Sequence, residues 1–386
     1  MTQRSNTPLP FIKSLELAVR RQFNRWYRSE REPIVVAYPT SVIDGSTSPR
    51  ILVLRQDRLG DVLISTPIVR ALRKHFPHAQ IDALLSDNNM AARRAYEPFV
   101  DQFLRYGKSI GRIVSLRSEL RARKYDVVVD MTDNASSTSS MLVTMSNARI
   151  AIGIDKENRG VYTHVVPRVD RNTMHIVDRI VRLLWPFGIN TSTIDKHMAY
   201  DVSDEERASA MQSLGMSAAA NTEPLYLVTP NRIRIGVNIS GSTLSRRMEA
   251  PTIIEFVELV KAKHPSVDFF IFATPDLVDV QGAVCSSTKA YAVPVSPSFH
   301  AYACALSCMH ALVTPDTAAV HLAAAWQMPT VVLYHPEVPP VHPWHPYDSY
   351  SVACETAMMS VAYIPAVEVA AGIETMLHET GLVPIT

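Results

Sequence analysis

Three short segments of this 386-residue chain combine residue types that can do chemistry. The first is Arg55-Gln-Asp57-Arg58-Leu-Gly60-Asp61. Gly60 permits a tight turn or a close backbone approach. Asp61 then stands where a helix begins, and two roles suit it there. It could take the proton from an attacking hydroxyl as a general base, or it could cap the helix and complement its dipole. Arg55 and Arg58 could hold acceptor phosphates or pair with Asp57. The second segment runs from Asp316 to Ala325. Thr317, Ala318 and Ala319 should form the first turn of a helix, whose N–H groups and dipole attract an anion. Their small side chains let a diphosphate reach the backbone, and Thr317 adds a hydroxyl donor. Asp316 reads as the N-cap. His321 lies one turn past Thr317, as a catalytic group or, more simply, as a side chain holding loop and helix together. The third segment is Gly241-Ser242-Thr-Leu-Ser-Arg246-Arg247. Ser242 could bond a phosphate, and the two arginines could neutralise a departing nucleoside diphosphate; the plainer reading is a solvated basic loop.

What positions these segments is a repeated alternation of strands and helices. Strand patterns at 51–54, 81–85, 126–129 and 149–153 interleave with helical patterns up to 75, at 110–123 and at 135–146. After looser helices at 175–187 and 204–214 the alternation restarts. Strands at 233–238, 268–272, 311–314 and 330–334 enclose helices at 251–263, 298–308 and 317–326. Strands alternating with helices imply parallel βαβ units. Ligands of such sheets bind beyond the carboxyl ends of the strands, where all three segments fall. The expectation is two facing, doubly wound Rossmann-like domains at 50–200 and 225–365. A basic extension and linker would occupy 1–49, and a C-terminal helix 366–386.

Composition narrows the function classes. A net charge of +1 argues against a nucleic-acid surface. Four cysteines are too few for a disulfide framework, and Cys304 and Cys308, one helical turn apart, read as core thiols. No apolar run reaches the length of a membrane span, and no signal peptide is recognisable. A cytoplasmic protein is expected. Residues 1–31 carry seven basic and two acidic side chains, with Phe11, Leu15, Val19, Phe23 and Trp26 on one helical face. That helix could rest on an anionic membrane at the inner face of the cytoplasmic membrane, or pack on the chain's own body. His335, His342 and His345 share a proline-rich loop, but their spacing fits no standard metal motif. No metal site is expected.

The segment 55–67 and the run 316–334 together resemble glycosyltransferase family 9, the ADP-heptose:lipopolysaccharide heptosyltransferases. The resemblance covers about residues 50–380. It implies a GT-B fold and an inverting, metal-independent mechanism without a cofactor. It further implies an ADP-sugar donor, an envelope glycolipid acceptor, a base at Asp61 and diphosphate binding by Thr317 and its neighbours. Ala318 stands where the family usually has glycine. Arg246 and Arg247 stand near the place of a common lysine. Asp276 is the candidate for the place of a glutamate that in the family often contacts the ribose. The rival readings are a nucleotide-sugar epimerase of the same fold and a silent nucleotide-sugar binder.

Overall fold

The computed structural model describes residues 32–43, 48–215, 232–335 and 343–383. The proposed membrane helix within 1–31, and His342, lie outside them.

Two all-parallel sheets form the frame. The first holds β1 (Ile34–Val35), β2 (Arg50–Leu54), β3 (Gln80–Ser86), β4 (Gln102–Tyr106), β5 (Val127–Asp130), β6 (Ile150–Ile154) and β7 (His164–Val166), in the order β1-β7-β6-β5-β2-β3-β4. The second holds β8 (Ile233–Asn238), β9 (Val267–Phe272), β10 (Tyr291–Ala292), β11 (Ala311–Pro315), β12 (Thr330–Tyr334) and β13 (Ser351–Glu355), in the order β10-β9-β8-β11-β12-β13. The α-helices of the first half are α1 (Leu59–Ile64), α2 (Thr66–His75), α3 (Ile110–Arg123), α4 (Ser137–Ser146) and α5 (Ile176–Ile180). Then come α6 (Asp204–Ser213), α7 (Ala250–Lys263), α8 (Val278–Thr288), α9 (Phe299–Leu306), α10 (Ala318–Ala325) and α11 (Ala366–Glu379). The strand order reverses direction at β2 in one sheet and at β8 in the other, the doubly wound pattern expected from the alternation. The central strands carry unbroken apolar runs (51–54, 127–129 and 269–272) because helices cover both faces.

Two expected boundaries shift. The segment assigned to the linker contributes an edge strand: Ile34 and Val35 pair with His164 and Val165 of β7. Ile43 is buried in the same body. A two-residue strand leaves no alternation to read, which is why it was missed. The C-terminal helix is no appendage either. Val369, Ile373, Met376 and Leu377 of α11 are fully buried in the core beneath the second sheet.

One apolar cluster spans both halves. It runs from Val62, Leu63 and Ile68 of the first half to Leu322, Ala323 and Met328 of the second. A polar strap adds to it. Residues 343–348 leave the second half and bond to the first. The Ile176 N–H donates to the Pro343 carbonyl (2.9 Å), His175 Nε2 meets the His345 carbonyl (2.9 Å), and Tyr347 Oη donates to Asp178 (3.0 Å).

Candidate active site

Arg55 follows β2 directly and is the key to the first half of the site. Its side chain is 1% exposed. Nε donates to the Asp61 carbonyl (2.9 Å), Nη2 to Asp61 Oδ1 (3.0 Å) and Nη1 to the Met131 carbonyl, with Asp57 Oδ2 3.6 Å away. A guanidinium so enclosed cannot reach an acceptor phosphate, so the acceptor-binding expectation for Arg55 gives way; the alternative, pairing with Asp57, holds at 3.6 Å, but the nearer partner is Asp61. Its work is to fix Asp61. Burial pushes the Asp57 carboxyl up from its usual range, and Arg55 opposes the shift.

Asp61 occupies the third position of α1, and Arg58 is the N-cap. The Asp61 Oδ2 accepts the Arg58 N–H (2.9 Å). The capping role is therefore present, but it does not exhaust the group. Each carboxylate oxygen keeps a second lone pair, and the side chain is 12% exposed. The Arg58 side chain itself stays exposed. An acceptor-side place is also expected for Gly60, and the packing there adds a reason for glycine. A Cβ there would lie 2.7 Å from His321 Cδ2 and 3.7 Å from the Cα of Ala318. The site for a side chain is filled by α10, so the Gly60–Asp61 turn rests against the first turn of the opposite helix.

On that opposite side, Thr317 rather than Asp316 is the N-cap of α10. Its Oγ1 accepts the Ala319 N–H (3.3 Å). Aspartate loses the position because its carboxylate is drawn to Arg246 (3.0 Å), whose Nη1 also donates to the Asp316 carbonyl (2.9 Å). Ala319 is buried and Ala318 half-buried, so a ligand can approach the backbone at 317 and 318. Asn238, at the end of β8, donates to Thr314 Oγ1 (2.9 Å) and Thr317 Oγ1 (3.3 Å), which sets the threonine rotamer. It was not anticipated; a polar residue ending an apolar strand was the available signal.

The Gly241–Arg247 loop folds back on itself. A Cβ at Gly241 would fall 2.2 Å from the Arg246 carbonyl oxygen, so only glycine fits. Arg247 pairs with Asp276 (2.7 Å). The Thr274 hydroxyl, with Arg247 assisting, holds the Asp276 carboxyl below its usual range. Ser242 is exposed on the same loop. The structure thus brings Asp276, Arg246, Arg247, Asp316 and Thr317 together at the carboxyl ends of the second sheet's strands, with two ion pairs, Arg246–Asp316 and Arg247–Asp276, among them.

His321 is the wedge between the sides. It is 4% exposed, and its Nδ1 has no hydrogen-bond partner among the described residues. Burial lowers its pKa to about 4, with Arg55 and His345 pushing the same way and Asp61 opposing. At neutral pH it is an uncharged packing element. A second buried network lies beneath the cleft and was also missed. Lys156 Nζ donates to Asp130 Oδ2 (3.1 Å), the Thr132 carbonyl (2.6 Å) and Thr132 Oγ1 (2.8 Å), while Tyr162 Oη donates to Asp130 (2.5 Å). It stiffens the end of β5 beside Met131, which holds Arg55.

The family model described as glycosyltransferase family 9 (heptosyltransferase) matches residues 113–250 and 253–360, well over half of the chain. Lipopolysaccharide heptosyltransferase 3 of Escherichia coli is 28% identical over 160 residues, 38% of this chain and 46% of that protein. The protein of the same name from strain K12 is 31% identical over 159 residues, 36% and 43% respectively. The chain spans less than half the length of these curated relatives. A solved glycosyl transferase of family 9 from Veillonella parvula superposes with a TM-score of 0.70 at 22% identity, covering 89% of this chain and 99% of that one. The E. coli heptosyltransferase WaaC with ADP gives 0.65 at 15%, covering 86% and 100%. These likenesses show the GT-B-like fold, and the family match shows that the chain belongs to glycosyltransferase family 9 (heptosyltransferase).

Proposed function

We propose that the protein transfers heptose, or a related sugar, from an ADP-sugar to a lipopolysaccharide-core or similar envelope acceptor, with inversion and without a metal. The observation that carries this reading is the contact of the Gly60–Asp61 turn with the first turn of α10. A carboxylate and a helix N-terminus sit side by side across the cleft. The diphosphate would lie on the N–H groups at Thr317 and Ala318, with Ser242, Arg246 and Arg247 around it and Asp276 toward the nucleoside. Arg58, exposed at the start of α1, is the acceptor-side cation left once Arg55 is excluded.

The reaction is a single displacement. The acceptor hydroxyl oxygen forms a bond to the anomeric carbon as the bond from that carbon to the diphosphate oxygen breaks. Asp61 takes the hydroxyl proton, and the departing ADP carries the electron pair into the field of the α10 dipole and the arginines. Arg55 keeps the Asp61 carboxylate in place throughout. E. coli WaaC, solved with ADP and with ADP-2-deoxy-2-fluoro heptose, supports the choice of donor. The test is incubation of the full chain with ADP-heptose and heptose-deficient lipopolysaccharide. Acceptor-dependent ADP release and a glycolipid heavier by one sugar are expected. Donor hydrolysis or epimerisation at the same rate without acceptor would replace this reading with the epimerase one.

A further inference from the structure

Away from the cleft, three side chains that ligate metals converge where the halves join. His300 and Cys304 sit four residues apart on α9, one turn along the same face. Glu206 comes from the first turn of α6, packed against α9. His300 Nε2 is 3.0 Å from Glu206 Oε1 and 3.5 Å from Cys304 Sγ, and the three ligand atoms all lie within 4.8 Å of one another. We propose that Glu206, His300 and Cys304 form a binding site for a borderline divalent ion, Zn²⁺ foremost, which clamps α9 to α6.

The distances can be compared with what such an ion requires. With Zn–N of about 2.05 Å and Zn–S of about 2.3 Å, tetrahedral angles put nitrogen and sulfur about 3.6 Å apart, and nitrogen and oxygen about 3.4 Å apart. The first spacing is already met; the second needs the Glu206 carboxylate to turn by a few tenths of an ångström. Imidazole, thiolate and carboxylate together suit Zn²⁺ rather than Mg²⁺ or Ca²⁺, which prefer all-oxygen sets.

The surroundings supply the supporting contacts of a metal site. Tyr200 Oη lies 3.2 Å from His300 Nδ1, and Arg94 holds Glu206 Oε2 at 2.8 Å. A ring nitrogen anchored behind the ligand and a carboxylate anchored through its other oxygen are the usual outer-shell arrangement. Arg94 thereby confines Glu206 to binding through one oxygen. Glu206 and His300 are 31% and 28% exposed, which leaves room for water as a fourth ligand. Binding is balanced by proton movement: the Cys304 thiol releases its proton to solvent, and the one imidazole proton moves to Nδ1, facing Tyr200. Cys308 takes no part, because its Sγ points to the Cys304 carbonyl (3.3 Å).

This ion would hold two helices and has no role in sugar transfer. The test uses the full chain stripped with chelator and then titrated with Co²⁺. The expected result is one equivalent of Co²⁺ showing a thiolate-to-metal charge-transfer band, displaced by Zn²⁺. Cys304→Ser abolishes the band, while His300→Gln and Glu206→Gln weaken binding at least about tenfold. Cys308→Ser, and His335→Gln with His345→Gln, leave the band unchanged. ADP binding, measured on each variant, reports that the fold is intact. A wild-type protein without the band, or a band that survives Cys304→Ser, overturns the proposal.

Discussion

The two strand-to-helix turns that face each other across the cleft use charge in opposite ways. In the first half, one arginine is sealed 1% exposed against a carbonyl, a carboxylate and a second carbonyl, and the helix that follows is locked to it through Asp61. In the second half, Arg246 and Arg247 stay on a loop, 16% and 29% exposed, each paired with one aspartate. A buried charge has few places to go, so the first turn is preset. Partly solvated pairs are held less firmly, so the second turn is less fixed than the first. The first turn is built to hold one group still, and the second to exchange its partners.

Breaking the fixed side should cost most. Asp61→Asn keeps the shape of the turn but removes the base, and transfer should fall by about 10²–10⁴-fold while ADP affinity hardly changes. Arg55→Met next tests whether the sealed charge sets the turn. Unfolding by urea should show a loss of about 3 kcal/mol, since a partly buried Asp61 is left unpaired, and transfer should fall with it. An unchanged midpoint would mean the network is incidental.

The wedge between the sides gives a pH signature. The folded His321 titrates at about 4, below the ordinary value of 6.5. Between these values the unfolded chain binds more protons than the folded one, so stability falls as pH drops from about 6.5 to about 4. His321→Asn should flatten the dependence of stability on pH in that window by up to about 1.4 kcal/mol per pH unit. His175 and His310, each lowered to about 3 by burial, keep a remaining slope in the variant. An identical slope in variant and parent would show that His321 is not buried uncharged. On the exchangeable side the effect should be smallest. Thr317→Val removes one hydroxyl and should weaken ADP binding by about tenfold, visible by calorimetry, with a stability loss of about 1 kcal/mol because the cap of α10 goes with it.

Much of this arrangement is legible in the amino-acid order. Parallel units follow from apolar strands alternating with periodic helices, and α3, β8 and β12 fall where their patterns place them. The edge strand at Ile34–Val35 and the strands β4 and β13 do not, because short or half-exposed strands carry no clean period. The cluster in the second half was visible as small residues and arginines at strand ends. The burial of Arg55 was not. Nothing local tells a surface arginine from one whose partners, Asp61 and Met131, are assembled by a turn and a distant strand. Asn238 and the Lys156–Asp130–Tyr162 network escaped for the same reason: their partners are remote in sequence.

The central claim, a single base-assisted displacement that needs no metal, is tested most directly by the stereochemistry of the product made in excess chelator. The protein, ADP-heptose and glycolipid acceptor are combined with chelator, and the anomeric configuration of the new linkage is read by NMR. The account predicts an undiminished rate and a configuration opposite to that of the donor. Retention of configuration, or a rate abolished by chelator and restored by a divalent ion, would contradict it.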